Sequence, residues 1–145
     1  MAVGNWTRTD NARMRMAKGS WNIDTATLKC ALFQSTSNIG ASSTTYAALT
    51  NQVAQANGYT TGGVSVDLAF SGTTSVAIVF TGGNPTFSAS GGNIVARWAV
   101  IYEVSGDVWA YCLLDTTPAD VTVPSGNSLA LDSDGTPNNL FTVTG

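Results

Sequence analysis

The stretch "NIVARWAVIYEV", Asn93 to Val104, decides how the chain is read. It is rich in β-branched and aromatic residues and long enough to cross a whole sandwich as one strand. "SGD" follows at 105–107, and then a second run of the same kind, "VWAYCLLD", at 108–115. Two such runs separated by three residues predict an antiparallel hairpin. Because side chains alternate along a strand, Trp98, Val100 and Tyr102 are expected on one face. Trp109 and Tyr111 are expected together on one face of the partner strand.

Outward from this hairpin the pattern repeats. "ATLKCALFQ" (26–34) and "VSVDLAF" (64–70) alternate, while "SVAIVF" (75–80) reads as a buried run. "DVTV", "SLALD" and "LFTVT" follow the hairpin, with "GGNP", "PSGN" and "DGTPNN" as turn chemistry between strands. Seven to nine short strands at this spacing predict a mainly β protein, a single β-sandwich or jelly-roll-like domain. Two helices are expected beside it. Thr9 or Asp10 can cap one that runs to Lys18 and ends at Gly19. The other is "TYAALTNQVAQANG" (45–58), where Tyr46, Leu49 and Val53 fall at helical spacing before Gly58.

At 145 residues the chain is one domain's worth, large enough to bury a core without a staple. Charged residues make up only 10%, well below the ~25% of an ordinary soluble domain. Ser, Thr and Asn, at 14, 20 and 11 residues, supply the surface polarity instead. The net charge of −3 is unevenly placed. Residues 1–30 hold Arg8, Arg13, Arg15, Lys18 and Lys29 against Asp10 and Asp24, whereas residues 31–145 hold only Arg97 against seven acids. A basic end on an acidic chain suits an acidic partner. Residues 1–24 are therefore expected as a basic arm and residues 25–145 as the β-domain. Arg8, Arg13, Met14, Arg15, Met16 and Lys18 are the candidate partner-binding residues. The two arm methionines can adapt to an irregular groove. Arg97 is expected to pair with Glu103 or Asp115.

The chain contains no histidine, which removes the commonest general base and metal ligand together with Ser-His-Asp and Cys-His arrangements. No phosphate-binding or dinucleotide fingerprint is present; the Gly-Gly pairs read as turns. "DSDGTPNN" (132–139) spaces Asp132 and Asp134 like the first ligands of a calcium loop, but the glycine comes too early and no glutamate closes it. It reads as a turn. Cys30 and Cys112 lie in apolar runs and read as buried free thiols. No catalytic residue, metal or cofactor is assigned, and a non-enzymatic role is expected. The aromatics around Trp98 and Trp109 read first as core and second as a sugar-stacking platform. The first residues lack an apolar signal-peptide core and no run is long enough to span a membrane, so synthesis in the cytoplasm is expected.

Four blocks together resemble a family of small virion-associated proteins of tailed bacteriophages. They are "ARMRMAKGSWNIDTATLKCALF" (12–33), "LTNQVAQANGYTTGG" (49–63), "NIVARWAVIYE" (93–103) and the Thr-rich "LFTVTG" at 140–145. The loops at 35–45 and 115–127 match little. The resemblance implies a virion structural protein made in the host cytoplasm, non-enzymatic and without cofactor. A capsid decoration or cement role is the first expectation, with the major capsid protein and further copies of this chain as partners and no nucleic acid or membrane. A neck, tail or fibre-base position is the second, and a surface carbohydrate-binding module the third.

Overall fold

In the computed structural model the described residues are 4–71, 76–104, 106–117, 119–131 and 139–143. The hairpin forms its centre. β8 (Trp98–Glu103) and β9 (Val108–Leu113) pair antiparallel, and β2 (Leu28–Phe33) pairs with β8 along its whole length. β1 (Thr7–Arg8) adds to the outer edge of β9 and β3 (Val64–Val66) to that of β2, giving a five-stranded sheet ordered β1-β9-β8-β2-β3. The remaining strands form three smaller sheets. β4 (Leu68–Ser71), β5 (Val76–Phe80) and β12 (Asn139–Val143) make one of them. β6 (Thr86–Ser88) pairs with β11 (Ser128–Ala130), and β7 (Ile94–Ala96) with β10 (Val121–Val123). The inner face of the large sheet shares one core with the smaller sheets. Cys30, Leu32, Ala99, Ile101, Ala110 and Cys112 meet Ile78, Phe80, Phe87, Ile94, Val121, Val123 and Leu129 there. The architecture is mainly β and β-sandwich-like, as expected.

Twelve strands are described where seven to nine were expected: two long runs change sheets at a polar residue, and β1 and β6 form where no strand was expected. "VSVDLAF" breaks at Asp67 into β3 and β4, and "NIVARWAVIYEV" breaks at Arg97 into β7 and β8. Each half thus belongs to a different layer, as at the corner of a packed pair of sheets. Arg97 sits at that corner. The β7–β10 register sets Val121 opposite Ala96, which brings Asp120 to Arg97, and Nε donates to Oδ1 at 2.9 Å. The expected partners Glu103 and Asp115 are thereby corrected to Asp120. The pair is only partly screened from solvent, so Arg97→Ala is expected to cost about 1 kcal/mol in chemical melts. Lys18→Ala, on an exposed side chain, should stay within ~0.5 kcal/mol. Equal losses would remove the corner role of Arg97.

The second expected helix does not form. Only Tyr46–Ala48 makes a single 3-10 turn, and Asn51 turns left-handed with φ 58°. Thr, Val and Asn are weak helix formers, and here their backbone finds better partners. The Val53 N–H donates to Leu32 O at 3.0 Å, and Thr50 and Asn38 bond each other's backbone N–H through their side chains. Segment 35–52 therefore runs as a strap across the outer face of the large sheet. There Ile39, Tyr46 and Leu49 cover Ala31, Phe33, Val100, Tyr102 and Val108. Tyr46 stacks on Tyr102 at 3.9 Å between ring centroids. The "TNQVAQANGYTTGG" block fixes the strap's end. The Tyr59 hydroxyl accepts from the Leu32 N–H (3.0 Å) and from Gln52 Nε2 (2.8 Å), and burial pushes its pKa up to about 12.

Cys30 and Cys112 are free and buried. They lie on β2 and β9, on either side of β8, and two strand spacings are about 9–10 Å, beyond the ~7 Å Cα limit for a disulfide. Burial pushes both thiols up from their ordinary pKa. A thiol reagent should label neither cysteine in the native protein and both in denaturant, and reductant should leave the melting temperature unchanged. Rapid native labelling would contradict this placement.

Candidate partner-binding surface

The basic N-terminal segment folds as part of the sandwich. α1 (Asp10–Ala17) begins at Thr9, whose Oγ1 accepts from the Ala12 N–H at 3.1 Å and donates to Val108 O at 2.9 Å. Thr9 is completely buried, and its N–H donates to Trp109 O, so one residue caps the helix and seats it on β9. Gly19, at φ 64°, ends the helix: its N–H bonds Met16 O while that of Ser20 bonds Arg15 O, a Schellman pattern. Ala12 is buried beneath the helix and Trp6 beneath β1, where its ring meets Phe80 edge-on at 6.3 Å. The segment expected as a basic arm, 1–24, holds β1 and α1. Within it Thr7 and Arg8 pair with β9, and Trp6, Ala12 and Ile23 enter the core, whereas Arg13, Met14 and Lys18 stay exposed.

The six candidate partner-binding residues, Arg8 on β1 and the others on or at the end of α1, divide by the side they face. Arg15 points at the β8–β9 hairpin, where its Nη1 pairs with Asp107 and lies 3.6 Å from Glu103. Met16 packs against the core, and Arg8 on β1 places a guanidinium nitrogen 3.8 Å from its sulfur. Burial, and after it the neighbouring Arg13, lower the Arg8 pKa from its usual value. Arg13, Met14 and Lys18 lie on the exposed side of α1, Arg13 paired there with Asp10 and Met14 49% exposed. A fixed helix thus presents a small basic, thioether-bearing face. Arg15 and Met16, both half-buried, hold that helix against the sandwich.

The aromatic platform is also corrected. Trp98, Val100 and Tyr102 do share the outer face, and Tyr111, opposite Val100, joins them. Trp109 does not. The β8–β9 register shifts between Ile101 and Tyr102, where a bulge puts both Val108 and Trp109 in the place of one residue. Trp109 consequently enters the inner core, 2% exposed, with Trp21 tilted against it at 4.7 Å. Trp98 and Trp109 face opposite sides of the sheet and cannot stack on one ligand. The Trp98 indole N–H is itself buried with no acceptor among the described residues, and its ring meets Tyr111 edge-on.

Elsewhere the acids do local work. Asp115 Oδ1 accepts from the Thr117 N–H and hydroxyl, closing a turn. Among the described residues, no group of three or more Asp, Glu or Cys side chains could hold a metal ion. Residues 132–138, which hold most of the "DSDGTPNN" stretch, lie outside the described residues.

Sequence reasoning missed a cleft of about 340 Å³ at the end of α1, lined by Met16, Gly19, Trp21, Asn22 and Ile23. All but Met16, which lies on α1, belong to a loop with no periodicity, where Trp21 packs on the bulged Trp109. Comparisons with protein families, with curated proteins and with solved structures return no match.

Proposed function

We propose that the protein is a non-enzymatic structural component of a tailed-phage virion, a decoration or cement module that binds and stabilises a shell of major capsid protein. The observation that carries this reading is the clamped helix α1, whose Arg13, Met14 and Lys18 face outward from a rigid sandwich. A rigid surface loses little conformational freedom on docking. The rest of the chain suits a broad contact. Its charged fraction is 10%, and Ser, Thr and Asn offer hydrogen bonds without the desolvation cost of buried charge. Such modules gain affinity from buried area and a few anchors, and several copies around a lattice point add avidity.

The test is co-sedimentation of the purified protein with expanded capsids that lack it. Wild-type protein should pellet with the shells and raise the temperature at which they release DNA. Replacing Met14 and Lys18 together by glutamate should leave the melt of the free protein unchanged and weaken attachment about tenfold or more. Undiminished attachment of that double variant would show that α1 is not the contact. Attachment confined to the neck, tail or fibres would move the protein from the shell to that position.

A further inference from the structure

We propose that Asn57 is a self-modification site, a deamidation centre that the fold holds in check. The inference is independent of the decoration role. Asn57-Gly58 is the one Asn-Gly pair in the chain. Such a pair meets least hindrance in this reaction, because glycine puts no side chain beside the attacking nitrogen. The Gly58 backbone nitrogen gives up its proton and attacks Cγ of Asn57, forming a new C–N bond. The Cγ–Nδ2 bond breaks, and the amide nitrogen leaves with a proton as ammonia. Water then opens the cyclic imide at either carbonyl, leaving aspartate or isoaspartate. Water is the only co-reactant, and both residues are exposed to it.

In the folded chain the pair forms the centre of a tight turn. Asn57 and Gly58 stand at φ 56° and 86°, and the Tyr59 N–H donates to Ala56 O at 2.9 Å, a type I′ arrangement. The turn is docked on residues 88–93. The Ser90 N–H donates to Asn57 O at 3.0 Å, and Gly58 lies close against Ser88 O. The side chain is tied as well: Asn57 Nδ2 donates to Asn93 O at 2.8 Å, and its amide fills the space beside Gly92. Cyclisation needs Cγ free to swing over the Gly58 nitrogen. The bond to Asn93 holds the very nitrogen that must leave, and the docked turn holds the backbone that must close the ring. Reaction therefore passes through local opening of residues 56–59, and its rate follows the population of that open state.

The consequence reaches the strap. Tyr59, the next residue, is buried, and its hydroxyl meets the Leu32 N–H and Gln52. Isoaspartate adds a carbon to the backbone of the turn, and either product replaces the amide donor by a carboxylate, which cannot donate to Asn93 O. The modified turn loses its seat on residues 88–93 and with it the fixed position of Tyr59.

The experiment incubates the full chain at mildly alkaline pH, folded or unfolded in guanidinium, and follows Asn57 over time by peptide mapping. Amide-to-acid conversion raises the peptide mass, which separates it from Asp134-Gly135, whose isomerisation leaves mass unchanged. Asn57 should convert in both samples, about tenfold or more slowly in the folded one. Gly92→Ala supplies a second arm. The three atoms nearest an added Cβ there all belong to the Asn57 side-chain amide, so the substitution displaces that amide from its seat. Folded Gly92→Ala should convert several-fold faster than folded wild type, the effect of losing one hydrogen bond. Equal rates in folded and unfolded wild type would overturn the proposal. So would a Gly92→Ala chain with native circular dichroism that converts no faster than wild type. If that variant does not fold, the wild-type comparison decides alone.

Discussion

Gly63→Ala should abolish cooperative folding or cost about 4 kcal/mol or more, a large part of the 5–15 kcal/mol that holds a typical domain together. Gly63 sits at φ 74°, in the turn that leads the chain into β3. A Cβ there would drive into the carbonyl of Cys30 and the backbone of Ala31, both fully buried on β2. Neither can yield without opening the β2–β3 pairing, where Cys30 stands opposite Val64. Gly19→Ala is the control. Its φ of 64° is equally left-handed, but nothing lies within 4 Å of the added methyl. It should cost only the ~1–2 kcal/mol of the strained backbone. Urea titrations of the two variants separate a blocked backbone approach from simple conformational strain. Equal small losses would show that β3 is not held against β2 in this way.

Removing residues 1–20 should leave a chain with no cooperative melting transition. The deletion strips β1 from the edge of β9 and takes Trp6, Thr9 and Ala12 out of the interior. It also deprives Asp107 and Glu103 of Arg15. Trp6→Ala alone is expected to cost about 3–5 kcal/mol, the usual range for emptying a buried tryptophan site. Phe80 would lose its edge contact at the same time. Far-ultraviolet circular dichroism and a thermal scan decide the matter. A truncated chain that melts as sharply as the whole protein would restore a detachable arm.

The parts legible in the sequence were those whose pattern is local. Thr9 and Gly19 bracket α1 because capping chemistry acts within one turn, and "LKCALF" and "WAVIYE" read as apolar runs because both faces of β2 and β8 are buried. What escaped reading depended on distant residues. The spacing of Tyr46, Leu49 and Val53 fits a helix, yet Tyr102 and Leu32 capture the first and last of them for the strap. One bulge turned Trp109 from the outer face to the core, and no period-two count can anticipate a register shift. Arg97 found Asp120 through the register of β7 with β10, a pairing invisible in either strand alone. The candidate surface divides likewise. The basic character around Arg13, Met14 and Lys18 was plain from composition, whereas Arg15 was claimed by acids some ninety residues away.

Electron cryo-microscopy of phage particles assembled in the presence of this protein tests the proposed decoration role most directly. The sandwich should appear as repeated density over the capsid lattice, with α1 turned toward a neighbouring subunit. A shell bare of this density, or copies whose α1 faces open solvent, would contradict it.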